Sequence, residues 1–141
     1  MSEVINKLTI IELKPGVREI VSKDTKLRLA RIIDLENCKI LIIDVVEKRF
    51  PTSAYKELVL KDGRKLLYEK IDEVRIFDRV IRDVELVYYQ NPNRTELISI
   101  RLVLEESLND CELLNIYISI LQMYAPSYFE RLRKVLNKYV M

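Results

Sequence analysis

The feature that most constrains this chain is the alternation of apolar and polar residues that runs through residues 7–106. Short runs rich in β-branched residues are separated by turn signals such as Asp62 followed by Gly63. Alternation places every second side chain on the same face of a strand. It therefore predicts an α+β protein with an antiparallel sheet or partly closed barrel of about seven or eight strands. The 141 residues, 49% of them apolar, are enough for one domain with its own core.

Two of the predicted strands, residues 25–35 and 40–47, can be aligned by arithmetic. The numbers of directly opposed residues in an antiparallel pair have a constant sum, so placing Leu35 opposite Ile40 puts Arg31 opposite Asp44. This is the only charged pairing in an otherwise apolar column. Because a buried charge needs a neutralising partner, we predict that Arg31 and Asp44 form a buried ion pair. Such a pair is either structural or the polar floor of a ligand cavity.

The stretch "DVELVYYQNPNRTELISIRLVLEE" predicts the last hairpin of the sheet. Placing Tyr88 opposite Ile98 sets Glu85 opposite Arg101 and leaves residues 91–95 as the loop. The second face of this hairpin then carries more apolar side chains than a solvated face normally does: Val87, Tyr89, Leu97 and Val103. We therefore expect a C-terminal helix, a second copy of the chain or a ligand to cover that face.

The periodicity changes to a helical one after Ser107. A first helix is predicted over about residues 108–124, with Ser107 and Asp110 as its capping pair and Pro126 beyond its end. It is apolar around most of its circumference, which indicates burial. A second, amphipathic helix is predicted over about residues 127–139.

The composition excludes several classes of function. Histidine is absent, which rules out a histidine triad, a histidine-ligated metal and a histidine general base. Two glycines cannot build a glycine-rich phosphate loop, and Cys38 and Cys111 are too few for a disulfide framework. We predict no catalytic residue, no cofactor and no metal site. No apolar run is long enough to span a bilayer and no signal peptide is evident, so we expect a cytoplasmic protein that does not enter a membrane.

The segments "LLYEKIDEV", "DVELVYY" and "TELISIRLVLEE", followed by the helix near Ser107, resemble the later half of pleckstrin-homology-like domains. The resemblance covers about half of the chain and implies a binding or scaffolding module. It departs from the family pattern in one respect, because those domains usually end in one helix and two are predicted here. A helix-grip ligand-binding fold is the alternative. That fold usually has helices between its first two strands, where this sequence predicts only a turn.

We therefore expect a non-catalytic interaction or scaffolding module, homodimeric or bound to another protein. Its apolar surface would come from the last hairpin or from the first C-terminal helix, where Tyr117 and Tyr124 are candidate anchors. A first alternative is nucleic-acid binding by basic residues near the N-terminal strands: Lys23, Lys26, Arg28 and Arg49. A second is a small-ligand binder with an interior cavity around Arg31 and Asp44. The net charge of only +2 favours a protein partner.

Overall fold

The computed structural model describes residues 2–138 as an eight-stranded antiparallel sheet followed by two helices, which confirms the predicted α+β class. A short helix, α1, precedes the sheet, and the sheet precedes the two longer helices because the alternating segments precede the helical ones. The elements are α1 (Ser2–Ile5), β1 (Leu8–Lys14), β2 (Val17–Ser22), β3 (Arg28–Asp34), β4 (Cys38–Lys48), β5 (Tyr55–Val59), β6 (Lys65–Ile76), β7 (Arg79–Asn91), β8 (Arg94–Glu105), α2 (Asp110–Tyr124) and α3 (Pro126–Asn137).

The strand order is β1-β2-β3-β4-β8-β7-β6-β5. Strands β1 to β4 form one meander and β5 to β8 form another, and the two meanders join through the pairing of β4 with β8. The sheet is open, with β1 and β5 at its edges, so the open sheet is found and the partly closed barrel is not.

The predicted register between β3 and β4 is wrong by two residues. Arg31 lies opposite Ile42, and the Asp44 carboxylate is exposed and pairs with Arg28 at 3.7 Å. The predicted Arg31–Asp44 ion pair is therefore not formed. The reason is a tighter turn than expected, since the Leu35 amide donates to the Cys38 carbonyl and β4 begins at that residue. A shift of two residues keeps each side chain on its predicted face and changes only its neighbour.

The last hairpin has the predicted register near its middle and a different one near its loop. Glu85 lies opposite Arg101 as expected, but a β-bulge beyond Val87 sets Tyr88 opposite Leu97. Because a one-residue shift turns side chains to the other face, Leu97 points into the core and is fully buried. The loop is also shorter than predicted, since β7 ends at Asn91 and β8 begins at Arg94.

The helices cover one face of the sheet, and α2 is the more buried of the two. Its N-cap is Asn109, whose side chain and that of Glu112 form a capping box, so the predicted cap at Ser107 is two residues too early. Helix α3 begins at Pro126 and ends at Asn137. Tyr139, where the second helix was predicted to end, lies outside the described residues. One core cluster joins both helices to the sheet.

Candidate interaction surface

The face of the sheet that points away from α2 and α3 carries a row of apolar side chains. Val17, Ile33, Ile40 and Val103 lie directly opposite one another across β2, β3, β4 and β8. Their chain neighbours Ile32, Leu41, Leu102 and Leu104 point the other way, into the core that α2 also fills. We call the four-residue row the outer strip.

The outer strip is only partly shielded from water. Val103 is 51% exposed, whereas the other three members are partly buried by their neighbours in the sheet. Leu13 and Leu35, at the same end of the sheet, are 55% and 49% exposed. Single exposed apolar residues are common on proteins, but contiguous groups are rarer and mark interaction sites.

Charged residues border the strip on β8. Arg101 and Glu105 share its face and lie two residues before and after Val103. Arg101 pairs with Glu85 of β7 at 3.4 Å, and Glu105 pairs with Arg79 at 3.6 Å. The side chains of Arg101 and Glu105 are 48% and 67% exposed, so both stay available to other partners.

The structure does not bring the six predicted interface residues together. Leu97 and Tyr117 are buried in the core and cannot form a surface. Val87, Tyr89 and Val103 share the outer face, but Val87 is almost completely buried and the Tyr89 hydroxyl accepts a 2.6 Å hydrogen bond from Arg64. Tyr124 is half-buried, with the Arg49 guanidinium 5.3 Å from its ring centroid. Only Val103 remains as an exposed apolar contact residue.

The predicted nucleic-acid patch is also divided. Lys23 and Lys26 are exposed in the turn between β2 and β3, while Arg28 is paired with Glu19 at 3.8 Å and with Asp44. Arg49 donates a 3.1 Å hydrogen bond to the Tyr88 hydroxyl and stacks on Tyr124. Two of the four cations are therefore already engaged within the chain.

A buried carboxylate, Glu69 on β6, forms the densest polar cluster in the described part of the chain. One oxygen accepts hydrogen bonds from the amides and hydroxyls of Thr52 and Ser53, at 2.8 to 3.1 Å. The other accepts a 2.6 Å hydrogen bond from the Tyr88 hydroxyl. Burial alone would raise the pKa of Glu69, but these donors together lower it. Burial and the neighbouring Glu69 carboxylate raise the pKa of Tyr88.

This cluster holds the segment before β5 in place and offers no reactive group. Every oxygen of the Glu69 carboxylate is already hydrogen-bonded, so it is not available as a general base. The role of Glu69 is not evident from the sequence, because a single acid in an alternating strand looks like a solvent-facing residue. Thr52 and Ser53 supply the donors, and the sequence alone does not show that they lie against β6.

Neither a metal site nor a membrane-spanning helix is found among residues 2–138. No group of three or more acidic or cysteine side chains there is placed to hold a metal ion. None of the described helices is long and apolar enough to cross a bilayer.

Comparison with known proteins found no matching family model, no matching curated protein and no matching solved structure. The resemblance to pleckstrin-homology-like domains is therefore not confirmed.

Proposed function

We propose that this protein is a non-catalytic interaction module that forms a homodimer through the outer strip. The observation that carries the proposal is the direct cross-strand alignment of Val17, Ile33, Ile40 and Val103 on the sheet face without helices. Burying apolar surface contributes about 25 cal/mol per Å², so a second sheet packed on this row would be stabilised mainly by the exclusion of water.

The charges beside the strip favour a second copy of the chain as the partner. Two copies can pack face to face around a two-fold axis that runs along the row and across the strands. Each Val103 then meets its counterpart, and residues at equal distances on either side of Val103 along β8 exchange places. Arg101 of one copy would therefore face Glu105 of the other. Opposite charges at symmetric positions make this surface complementary to itself.

The two alternative functions have less support. A nucleic-acid site needs several free cations on one surface, whereas Arg28 and Arg49 both have partners within the chain. A small-ligand site around Arg31 and Asp44 needs those side chains to meet, and they are not opposed in the sheet.

The proposal is tested by light scattering coupled to gel filtration over a wide range of protein concentrations. We expect a dimer for the natural chain and a monomer for Val103→Glu, since two carboxylates would be buried at the axis. Met123→Glu is the matched control, because Met123 is 47% exposed on α2 and lies off the outer strip. A natural chain that stays monomeric at the highest concentration would refute the proposal.

A charge exchange tests the two-fold arrangement itself. Arg101→Glu should weaken the dimer because it places two acids opposite each other, and Glu105→Arg should weaken it in the same way with two cations. The double variant restores opposite charges and should recover the dimer. If the double variant dimerises no better than the single variants, Arg101 does not face Glu105 across the interface.

A further inference from the structure

The edge strand β5 is an unused hydrogen-bonding surface. All five of its residues are exposed, including the apolar side chains of Tyr55, Leu58 and Val59. On one side it pairs with β6 in an uninterrupted ladder, and on the other side no strand of the sheet follows it. An open edge presents a row of main-chain donors and acceptors that can pair with another strand.

The direction of each β5 amide follows from the turn that closes the β5–β6 hairpin. The Leu60 amide donates to the Arg64 carbonyl at 2.7 Å, so Leu60 points its main-chain groups toward β6. Main-chain groups alternate in direction along an antiparallel strand. Those of Lys56 and Leu58 therefore point toward β6, whereas those of Tyr55, Glu57 and Val59 point away from the sheet.

The other edge of the sheet differs from β5. The β1–β2 ladder shifts register between Glu12 and Lys14, and Pro15 follows directly after β1. Bulges and prolines are features that prevent edge pairing. Within β5 there is neither a bulge nor a proline.

The strand is also fixed at both ends before any partner binds. Thr52 and Ser53, just before it, are hydrogen-bonded to the buried Glu69 carboxylate. After it, the Gly63 amide donates to the Leu60 carbonyl at 3.0 Å. A strand that is already in its bound conformation loses less conformational entropy on binding.

The charge around this edge indicates what kind of segment fits. Glu57 is paired with Lys65 at 3.6 Å, and Asp62 is paired with Arg64 at 2.5 Å. Lys56 and Lys61 form no ion pair within residues 2–138. The edge therefore has two uncompensated positive charges. A second copy of β5 would bring like charges together, whereas an acidic segment would neutralise them.

We propose that β5 binds an extended, acidic segment of another protein by strand addition. Main-chain hydrogen bonds to Tyr55, Glu57 and Val59 hold the segment, which spans about five residues. Its specificity comes from apolar side chains against Leu58 and Val59 and from a carboxylate beside Lys56. The main-chain groups that hold the segment lie at the edge of the sheet, whereas the Lys56 side chain also lines a cavity with Ile40 and Val103 of the outer strip.

The test uses fluorescence anisotropy with a fluorescein-labelled peptide in which valine and threonine alternate and two positions carry glutamate. Glu57→Pro removes an amide that points outward, so the intrachain ladder keeps its hydrogen bonds while the partner loses one. We expect affinity to fall about tenfold, the loss of roughly one main-chain hydrogen bond. Glu57→Thr keeps the amide and removes the same charge, so it is the matched control and should bind the peptide about tenfold more tightly than the proline variant. Equal binding by the proline and threonine variants, or no binding to the natural chain, would overturn the proposal.

A second test uses modified peptides with the natural chain, so it does not require the Glu57→Pro variant to fold. Methylation of alternate peptide nitrogens blocks either the face that pairs with β5 or the opposite face. One of the two methylated peptides should lose binding and the other should keep it. Replacing both glutamates by lysine should also weaken binding. If both methylated peptides bind alike, the peptide is not held as an added strand and the proposal is wrong.

Discussion

The hydroxyl of Tyr88 donates a 2.6 Å hydrogen bond to the carboxylate of Glu69, which joins β7 to β6 inside the core. The same carboxylate accepts hydrogen bonds from Thr52 and Ser53, so one acid anchors the segment that leads into β5. The exposed edge proposed to bind a partner is thus held in position by the Glu69 carboxylate, which is itself fully buried.

Glu69→Ala should lower the free energy of unfolding by about 3 kcal/mol, because several buried donors lose their acceptor at once. Urea denaturation monitored by circular dichroism measures this change. Glu57→Ala is the control on the neighbouring strand, where an exposed side chain should change stability by about 0.5 kcal/mol or less. Equal effects of the two substitutions would mean that the Glu69 hydrogen bonds do not stabilise the fold.

Two buried tyrosines should respond in opposite ways to removal of the hydroxyl. The Tyr117 hydroxyl is buried without a hydrogen-bond partner, whereas that of Tyr88 has two. Tyr117→Phe should therefore leave the free energy of unfolding unchanged or raise it by about 1 kcal/mol, and Tyr88→Phe should lower it by about 1 to 2 kcal/mol. The same denaturation experiment compares them. A clear loss of stability in Tyr117→Phe would show that its hydroxyl has a partner in solution.

Local pattern was sufficient to predict the sheet, its antiparallel direction and the two helices that follow it, but not the short helix α1 that precedes it. Alternation is set by the chain itself, and each hairpin joins neighbours in sequence. The bulge beyond Val87 was not predictable in this way, since nothing in the pattern marks the extra residue in β8. That one residue moved Leu97 from the expected surface into the core.

The outer strip depends on contacts that no hairpin supplies. Ile40 and Val103 become neighbours only because β4 pairs with β8, which are far apart in the sequence. A single sequence gives no signal for such a pairing, because many strands could satisfy it equally well. The predicted apolar second face contained Val103 but none of its true neighbours in the strip.

The start of α3 is stabilised by a residue from the sheet. Ala125 precedes Pro126 at the N-cap and has no side chain that can cap, while the Glu47 carboxylate accepts a 2.8 Å hydrogen bond from the Tyr128 amide. A carboxylate is favoured at a helix N-terminus by the helix dipole. The acceptor at this helix start is thus supplied by a distant residue on β4 and not by the residue that precedes the helix.

Glu47→Ala should cost about 1 to 2 kcal/mol of unfolding free energy, the usual effect of losing a helix cap in a partly buried setting. Glu106→Ala, at an exposed acid in the turn before α2, is the control and should have little effect. Chemical denaturation measures both variants. If Glu47→Ala is as stable as the control, the amide of Tyr128 does not need this acceptor.

The ion pair between Arg18 and Asp34 makes stability depend on pH in a defined direction. Two hydrogen bonds of 2.6 and 2.8 Å from the guanidinium lower the pKa of Asp34 from its ordinary value of 3.8. Because the folded state holds its proton less tightly than the unfolded chain does, the stabilisation is fully present above that ordinary pKa. It is lost as the pH falls through the lower pKa of the folded state.

Asp34→Asn should therefore be less stable than the natural chain near neutral pH, and the difference should shrink as the pH falls below 3.8. Urea denaturation at a series of pH values from about 7 to about 2 measures the difference. Asp24→Asn is the control, because Asp24 is exposed in the β2–β3 turn and forms no ion pair in the described part of the chain. That variant should differ little from the natural chain across the series. A difference for Asp34→Asn that stays constant down to the lowest pH would show that the carboxylate charge does not contribute through Arg18.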